Sequence, residues 1–102
     1  MFAIAYDFDT DSLKTHYHNP SFNNAYSDFR KFMEPHGFKA QQGSVLYGDK
    51  TVTAVTATLA IVAASSEFPW LAPSIGDIRI LRIPDKDDLM PAIKSGAQVH
   101  HP

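Results

Sequence analysis

Two carboxylates at the end of the first apolar stretch are the groups in this sequence best placed to do chemistry. Residues 1–9 read MFAIAYDFD, so Asp7 lies between Tyr6 and Phe8. Large and small side chains alternate along the stretch, which is typical of a β-strand with one buried face. Asp7 still lies within that alternation. We therefore interpret it as a functional carboxylate, able to take a proton from an attacking hydroxyl group or to bind a metal ion.

Asp9 lies where this strand must end, and two interpretations remain open for it. Aspartate is depleted in strands and favoured in turns, so Asp9 can simply terminate the strand and cap the following turn. Alternatively, it joins Asp7 in a catalytic pair at the end of a rigid strand.

Two histidines follow in a stretch that is predicted to be a loop. Residues Thr10 to Pro20 exceed the usual connection of about 4–6 residues, and long ordered loops are often functional. His16 and His18 are two positions apart, so in an extended segment their side chains would face the same way. With Asp7 or Asp9 they could bind a transition metal, or they could act as acid and base in RNA cleavage. The alternative is two surface histidines.

Positive charge is sparse, with a formal net charge of −2 over 102 residues. A strongly basic nucleic-acid footprint is therefore absent, and RNA binding would need a local patch, which a dimer would double. Solvation is the alternative for each basic side chain. The side chains available for such a patch are Lys14, Arg30, Lys31, Lys39, Arg79 and Arg82.

Length and composition predict a single domain over residues 1–95 followed by a flexible tail over residues 96–102. A core of this size is marginal alone, so dimerisation would help. There is no cysteine, and Asp7 interrupts the first apolar run, so neither a disulfide framework nor a signal peptide is predicted. No stretch is apolar enough to span a bilayer. We expect a cytoplasmic protein without membrane contact.

Periodicity and turn residues predict the remaining elements. A helix begins at Asn19-Pro20 and is ended by Pro35 and Gly37, while Gly43 marks a turn. Val52, Val55, Leu59 and Val62 recur at helical spacing. The other predicted elements are two short strands or one bent strand over Phe38–Tyr47, a helix over Thr51–Ser66, a strand over Ile75–Ile83 and a short helix over Leu89–Lys94.

This element order predicts an α+β fold, a ferredoxin-like β-α-β-β-α-β sandwich with a short C-terminal helical extension. Both main helices would cover one face of the sheet. The other face, which carries Ala3, Ala5 and Asp7, would be left for solvent, a ligand or a second copy. Because small side chains allow close approach, we expect a homodimer through that face.

Several of these stretches together form a pattern that resembles the virulence-associated protein D family. More distantly, the chain is similar to the small CRISPR-associated ferredoxin-fold nuclease subunit. The matching positions run from residue 2 to about residue 83. They are Ala3–Thr10, His16–His18, Asn23–Tyr26, Gly37–Phe38, Gln42–Val45 and Asp77–Arg79.

The resemblance implies a homodimeric endoribonuclease, often the toxin of a toxin–antitoxin pair, with RNA as substrate and an antitoxin protein as a further partner. It also implies that Asp7 is the main catalytic residue and Ser44 a second. The cofactor stays open, with a divalent cation such as Mg²⁺ or Mn²⁺ at Asp7 as the candidate. The RNA-binding candidates are Lys14, His16, His18, Arg30, Gln42 and Arg79. The competing hypothesis is a non-catalytic homodimer that binds nucleic acid or protein.

Overall fold

The first strand of the chain is the centre of a four-stranded antiparallel sheet. The computed structural model describes residues 1–84 and 87–100, apart from the side chains at positions 41, 42 and 98–100. The strands are β1 (Phe2–Phe8), β2 (Phe38–Gln42), β3 (Val45–Gly48) and β4 (Ile75–Arg82). Their order across the sheet is β2-β3-β1-β4, and all neighbours are antiparallel.

Helices fill the connections between these strands. They are α1 (Thr10–His16), α2 (Asn24–Met33), α3 (Ala54–Glu67), α4 (Leu71–Ser74) and α5 (Met90–His100), with a 3₁₀ turn (Glu34–His36) after α2. The predicted α+β ferredoxin-like arrangement is confirmed by this order and by the antiparallel sheet. Across residues 1–84 and 87–100, none of the helices combines the length and apolar character needed to cross a bilayer.

Aromatic side chains of β1 form the centre of the core. Tyr6 and Phe8 point from β1 toward the helices, where the ring of Tyr6 lies 4.9 Å from that of Phe29 and the ring of Phe8 lies 4.8 Å from that of Tyr26. Trp70 closes the same cluster, with its ring 5.9 Å from Phe8. Burial of such large rings is the main favourable contribution to a small core. It fixes which face of β1 looks outward.

The predicted loop over residues 10–20 is wrong in its first half, because α1 forms there. The Asp9 carboxylate accepts a hydrogen bond from the Ser12 backbone N–H at 3.3 Å and another from the Ser12 hydroxyl at 2.5 Å. This is an N-cap, which satisfies a donor that the helix leaves unpaired. Leu13, on the inner side of α1, is fully buried. Cap and anchor together outweigh the polar character that suggested a loop.

The second helix begins later than predicted. α2 starts at Asn24, because the Asn19 side chain accepts a hydrogen bond from the Ser21 N–H at 2.8 Å and holds a turn there instead. Its end agrees with the prediction: the 3₁₀ turn contains Pro35, and Gly37 adopts φ 92°, the left-handed conformation that stops a helix.

The third helix forms as predicted, but three of its large aliphatic side chains face outward, while Ile61 packs against the core. α3 is capped by a reciprocal pair of hydrogen bonds between Thr53 and Thr56. The buried side chains are those of Ala57, Ala60 and Ala64. The larger side chains, whose spacing predicted the helix, stay exposed: Val55, Leu59 and Val62. Close packing of the helix on the sheet selects alanine for the inner face.

Two further differences concern short helices. α4 is not anticipated by the sequence; its Ser74 carbonyl accepts a hydrogen bond from the Asp9 N–H at 2.8 Å and so holds the start of α1. α5 runs to His100, beyond the predicted end at Lys94 and into the segment predicted to be a tail. Residues 101–102 lie outside the described part of the chain.

Tyr17 connects the end of α1 to the rest of the core. Its hydroxyl donates a hydrogen bond to the Asp28 carboxylate at 2.5 Å, and its ring lies 5.4 Å from that of Trp70. Burial of the phenol, aided by the hydrogen bond and the negative charge of Asp28, raises the pKa of Tyr17 to about 12.

This hydrogen bond predicts a loss of stability in alkali. Because the pKa of Tyr17 is raised on folding, its contribution is fully present below about pH 10 and is lost as the pH rises toward about 12. Urea unfolding of the wild type should therefore show a falling free energy of unfolding between pH 10 and 11.5. Tyr17→Phe should flatten part of that fall and, at neutral pH, lower the free energy of unfolding by roughly 1.5–3 kcal/mol. Identical pH slopes in the two proteins would contradict the assignment.

Candidate active site

Two acidic residues are cross-strand partners at one end of the open sheet face. Asp7 is exposed at the end of β1, and the register places Asp77 of β4 directly opposite it. Directly opposed side chains have Cβ atoms roughly 4.5–5.5 Å apart, and like charges in that position destabilise a sheet. A purely structural role would favour replacing one of the acids. The pair is therefore a candidate for a functional site.

A β-bulge beside this pair shapes the position of Asp7. The β1–β4 register shifts between Asp7 and Phe8, which leaves Gly76 as the extra residue. A Cβ atom built on Gly76 would lie 3.4 Å from the Asp7 carbonyl oxygen and 3.8 Å from Asp7 Oδ2. The Asp7 carboxylate thus lies close to a glycine that leaves room for it. Bulges of this kind are enriched next to active sites, where they redirect a side chain.

Arg79 brings a positive charge to the same face. It is paired with Ala5 in the β1–β4 register, next to the Asp7–Asp77 pair, and its Nε donates to Asp77 Oδ2 at 3.0 Å and to Oδ1 at 3.3 Å. The Arg79 and Asp77 side chains are 73% and 57% exposed, and ion pairs this accessible contribute little to stability. Arg79 can therefore exchange its carboxylate partner for a phosphate at small cost.

Ser44 approaches this end of the sheet from the other neighbour of β1. It lies in the β2–β3 turn, after Gly43 with φ 57°, and its carbonyl accepts a hydrogen bond from the Tyr6 N–H at 3.0 Å. The structure thus brings the Ser44 backbone next to the residue that precedes Asp7. Gln42 ends β2 opposite Val45, but its side chain lies outside the described part of the structure.

Asp9 is used differently from Asp7. Its carboxylate caps α1 and its N–H is bonded to Ser74, so the geometry favours the capping interpretation that the sequence left open. A catalytic role for Asp9 stays a prediction.

The histidines do not lie side by side in an extended segment, and this expectation is corrected by α1. His16 is the last residue of α1, roughly 10 Å along the helix from its start, and the His18 ring lies 4.2 Å from that of Tyr17. Lys14, also on α1, has its Nζ 5.6 Å from the centre of the Phe22 ring. RNA binding by these three side chains stays a prediction.

Arg30 lies on the helix side of the sheet. Its positive charge acts on the Tyr6 hydroxyl and opposes the effect of burial, which raises the pKa of that phenol. Since Tyr6 and Asp7 point to opposite faces of β1, Arg30 is not brought together with Asp7.

A metal site built from three or more protein ligands is not found among the described residues. Asp7 and Asp77 provide two opposed carboxylates instead. Mg²⁺ is commonly held by one or two carboxylates, with waters and substrate phosphates completing its shell. The donor set therefore fits Mg²⁺ or Mn²⁺ better than a transition metal that requires histidine ligands.

Sequence reasoning did not include Asp77 and Gly76 among the site residues. The signals are present, since Asp77 and Arg79 alternate onto one face and a glycine inside a strand often marks a bulge. What the sequence does not contain is the register that sets Asp77 opposite Asp7.

The chain is similar to several curated bacterial proteins, although no family model matches it. It is 47% identical over 94 residues to "Endoribonuclease VapD homolog" of Helicobacter pylori, covering 92% of this chain and 97% of that protein. It is 38% identical to "Endoribonuclease VapD 2" of Riemerella anatipestifer, covering 91% and 99% of the two chains. It is 34% identical to "Endoribonuclease VapD" of Dichelobacter nodosus, covering 92% of this chain and 98% of that protein.

The two interpretations of Asp9 can be separated by substitution. Asp9→Ala should lower the free energy of unfolding by about 1 kcal/mol through loss of the cap, while RNA cleavage by the folded variant stays within twofold of wild type. Asp11→Ala is the matched control, because Asp11 is an exposed acid in the first turn of α1 that does not cap it. A large loss of cleavage with unchanged stability in Asp9→Ala would make Asp9 catalytic instead.

Proposed function

Because the chain belongs to the VapD family, we propose that it is an endoribonuclease with Asp7 as its catalytic carboxylate and that it acts as the toxin of a toxin–antitoxin pair. The names of its relatives confirm the enzyme class predicted from the sequence. The observation that carries the site is the exposed Asp7 opposite Asp77, with Arg79 beside them on the same face.

Asp7 acts as the general base in this proposal. Its carboxylate takes the proton from the attacking hydroxyl group, either the 2′-hydroxyl of the RNA or a water molecule, as the oxygen attacks the phosphorus atom. The bond from phosphorus to the leaving ribose oxygen (the 5′-oxygen when the 2′-hydroxyl attacks) breaks, and the leaving oxygen takes a proton from water. The backbone of Asp7 is paired with Asp77 of β4, and the preceding residues of β1 are paired on both sides, so the strand fixes where Asp7 lies.

Arg79 binds the scissile phosphate. Its guanidinium group carries five N–H donors, which suit the oxygens of a phosphate, and Asp77 holds it at the open face until the substrate arrives. Ser44 enters the site from the β2–β3 turn as a second polar group. A bound Mg²⁺ or Mn²⁺ would be held by Asp7 and Asp77 and would supply Lewis-acid stabilisation at the phosphate.

A homodimer through the open sheet face completes the proposal. Ala3 is fully buried within one chain, between the cross-strand partners Tyr47 and Leu81, whereas Ala5 is half-buried and Leu81 is 42% exposed. The contact surface is therefore formed by Ala5 and Leu81 rather than by Ala3. In a symmetric pair the two Asp7 side chains would approach each other across the interface.

A toxin role with an antitoxin partner is supported by the family resemblance. A growth experiment tests the toxin role. Induced expression of the wild type in a bacterial host should arrest growth, and Asp7→Asn should not. Growth arrest that persists with Asp7→Asn would separate toxicity from cleavage.

The catalytic assignment predicts that activity and stability respond in opposite directions to one substitution. Asp7→Asn should reduce the rate of RNA cleavage at least roughly 100-fold, the usual cost of losing a general base. The melting temperature should stay the same or rise, because the substitution removes a like-charge pair with Asp77. Both quantities are measured on the same nuclease-free preparations, and Asp11→Asn serves as the control for removing an exposed acid nearby.

Three results are informative here. If stability falls together with activity, Asp7 has a structural role. If Asp7→Asn cleaves RNA like wild type, Asp7 is not catalytic. If the wild type itself does not cleave RNA, the non-catalytic binding module becomes the better description.

The dimer prediction is tested at Ala5. A leucine there would overpack the sheet-to-sheet contact and should weaken the dimer by about 1–3 kcal/mol, visible by light scattering as dissociation at micromolar concentration. Ala72→Leu, on the exposed side of α4, is the matched control. A wild type that is monomeric throughout this range would contradict the dimer.

A further inference from the structure

The C-terminal helix α5 buries none of the side chains that the structure describes in it. Every described side chain from residue 87 to residue 97 is exposed. The largest apolar side chains of this segment are at least half exposed: Leu89, just before α5, at 70%, Met90 at 50% and Ile93 at 64%. A helix of 11 residues that contains Gly96 is not stable alone in water. It needs a surface that covers its apolar side.

The outer side of α3 presents a surface of the same character. From Ala54 to Ser66 this helix carries no charged residue, and its exposed side bears Val55, Leu59 and Val62. These apolar side chains alternate with exposed threonines such as Thr56 and Thr58, so the outer side of α3 is mixed but uncharged. A groove of about 210 Å³ runs between α3 and the edge strand β4, and its apolar walls include Ile61, Val62, Ile78 and Ile80.

The chain is too extended for a compact domain of its length. Its radius of gyration is 16.9 Å, whereas about 13 Å is expected for 102 residues. It exposes 7044 Å², compared with about 5,700 Å² for a compact monomer of 11.3 kDa. The excess of roughly 1,300 Å² per chain is larger than the roughly 800 Å² that each partner buries in a standard protein interface.

We propose that α5 of one copy packs into the α3–β4 groove of a second copy, and that the second copy returns its own α5 in the same way. Leu89, Met90 and Ile93 are the side chains that enter the groove. The exchange adds to the sheet-face contact described above and does not depend on the catalytic role of Asp7.

A second copy is favoured as the occupant because it covers the apolar side of α5 and the α3–β4 groove at once. Each chain carries one α5 helix and the α3–β4 groove. A reciprocal exchange therefore closes in a dimer, with each α5 in the groove of the other copy. An unrelated partner on α3 would leave α5 exposed. A fold-back of α5 onto its own groove would make the molecule shorter than the 55 Å extent that it has.

A pair of engineered cysteines tests this directly, because the natural chain has none. The double variant Val62→Cys/Ile93→Cys is oxidised with diamide and examined on a non-reducing gel. Exchange between copies predicts a covalent dimer in most of the protein. The double variant Val62→Cys/Ser95→Cys is the control, because Ser95 lies on the opposite side of α5, and the two Ile93→Cys and Val62→Cys single variants exclude other cross-links.

Other outcomes overturn the proposal. A monomeric product without free thiols means that α5 folds back onto its own chain. Free thiols in both double variants mean that the groove is open or belongs to another partner. As a second measurement, Ile93→Lys should shift light scattering toward the monomer at least tenfold in dissociation constant, whereas Ser95→Lys should not. Equal behaviour of the two lysine variants, with native circular dichroism, would also contradict the exchange.

Discussion

The pairing of β1 with a strand on each side is the constraint on which the rest of the molecule depends. Hydrogen bonds to β3 and β4 keep β1 in an extended conformation. Its side chains therefore alternate between the helices and the open face. Tyr6 and Phe8 are drawn into the aromatic core, and Asp7, between them, is thereby directed outward. A shift of one residue would bury a carboxylate and expose two aromatic rings, so the core that stabilises the fold also fixes the site.

The groups around Asp7 come from separate parts of the chain, which explains how so small a protein forms a site. Ser44 arrives on a hairpin turn, and Asp77 and Arg79 arrive on the last strand of the sheet. The Gly76 bulge lies where β4 meets the start of α1, and the Ser74 carbonyl holds the N–H of Asp9 at the same point. One end of the sheet therefore contains the capped helix, the bulge and the opposed carboxylates. At this end Asp9 stabilises α1 as its N-cap, whereas Asp7 has a residue of like charge as its cross-strand partner.

The inner and outer sides of α3 differ in the size of their side chains. Alanines at 57, 60 and 64 let the helix lie close to the sheet, so the larger aliphatic side chains remain on the outside. The exposed aliphatic side chains on the outer side of α3 remain in contact with water unless another surface covers them. The apolar side chains of α5 are exposed as well. The proposed exchange would bring these two exposed apolar surfaces together.

The sequence by itself determined the elements whose signals are local. Alternation from residue 2 to residue 8 specifies β1, the positive φ at Gly37 and Gly43 follows from glycine at a helix end and a turn, and the strand with Asp77 and Arg79 on one face is legible from its spacing. The order of these elements already implies the ferredoxin-like sheet, and the resemblance carried by residues such as Asp7 and Ser44 implies the family. Only the tertiary structure decided the rest. Asp9 caps a helix only because Leu13 is buried in the core, and the outward side of α3 depends on how closely that helix packs on the sheet. The pairing of Asp7 with Asp77 depends on a strand register between residues 70 positions apart. Local propensity does not encode such long-range pairings, because their free energy exists only once both strands are in place.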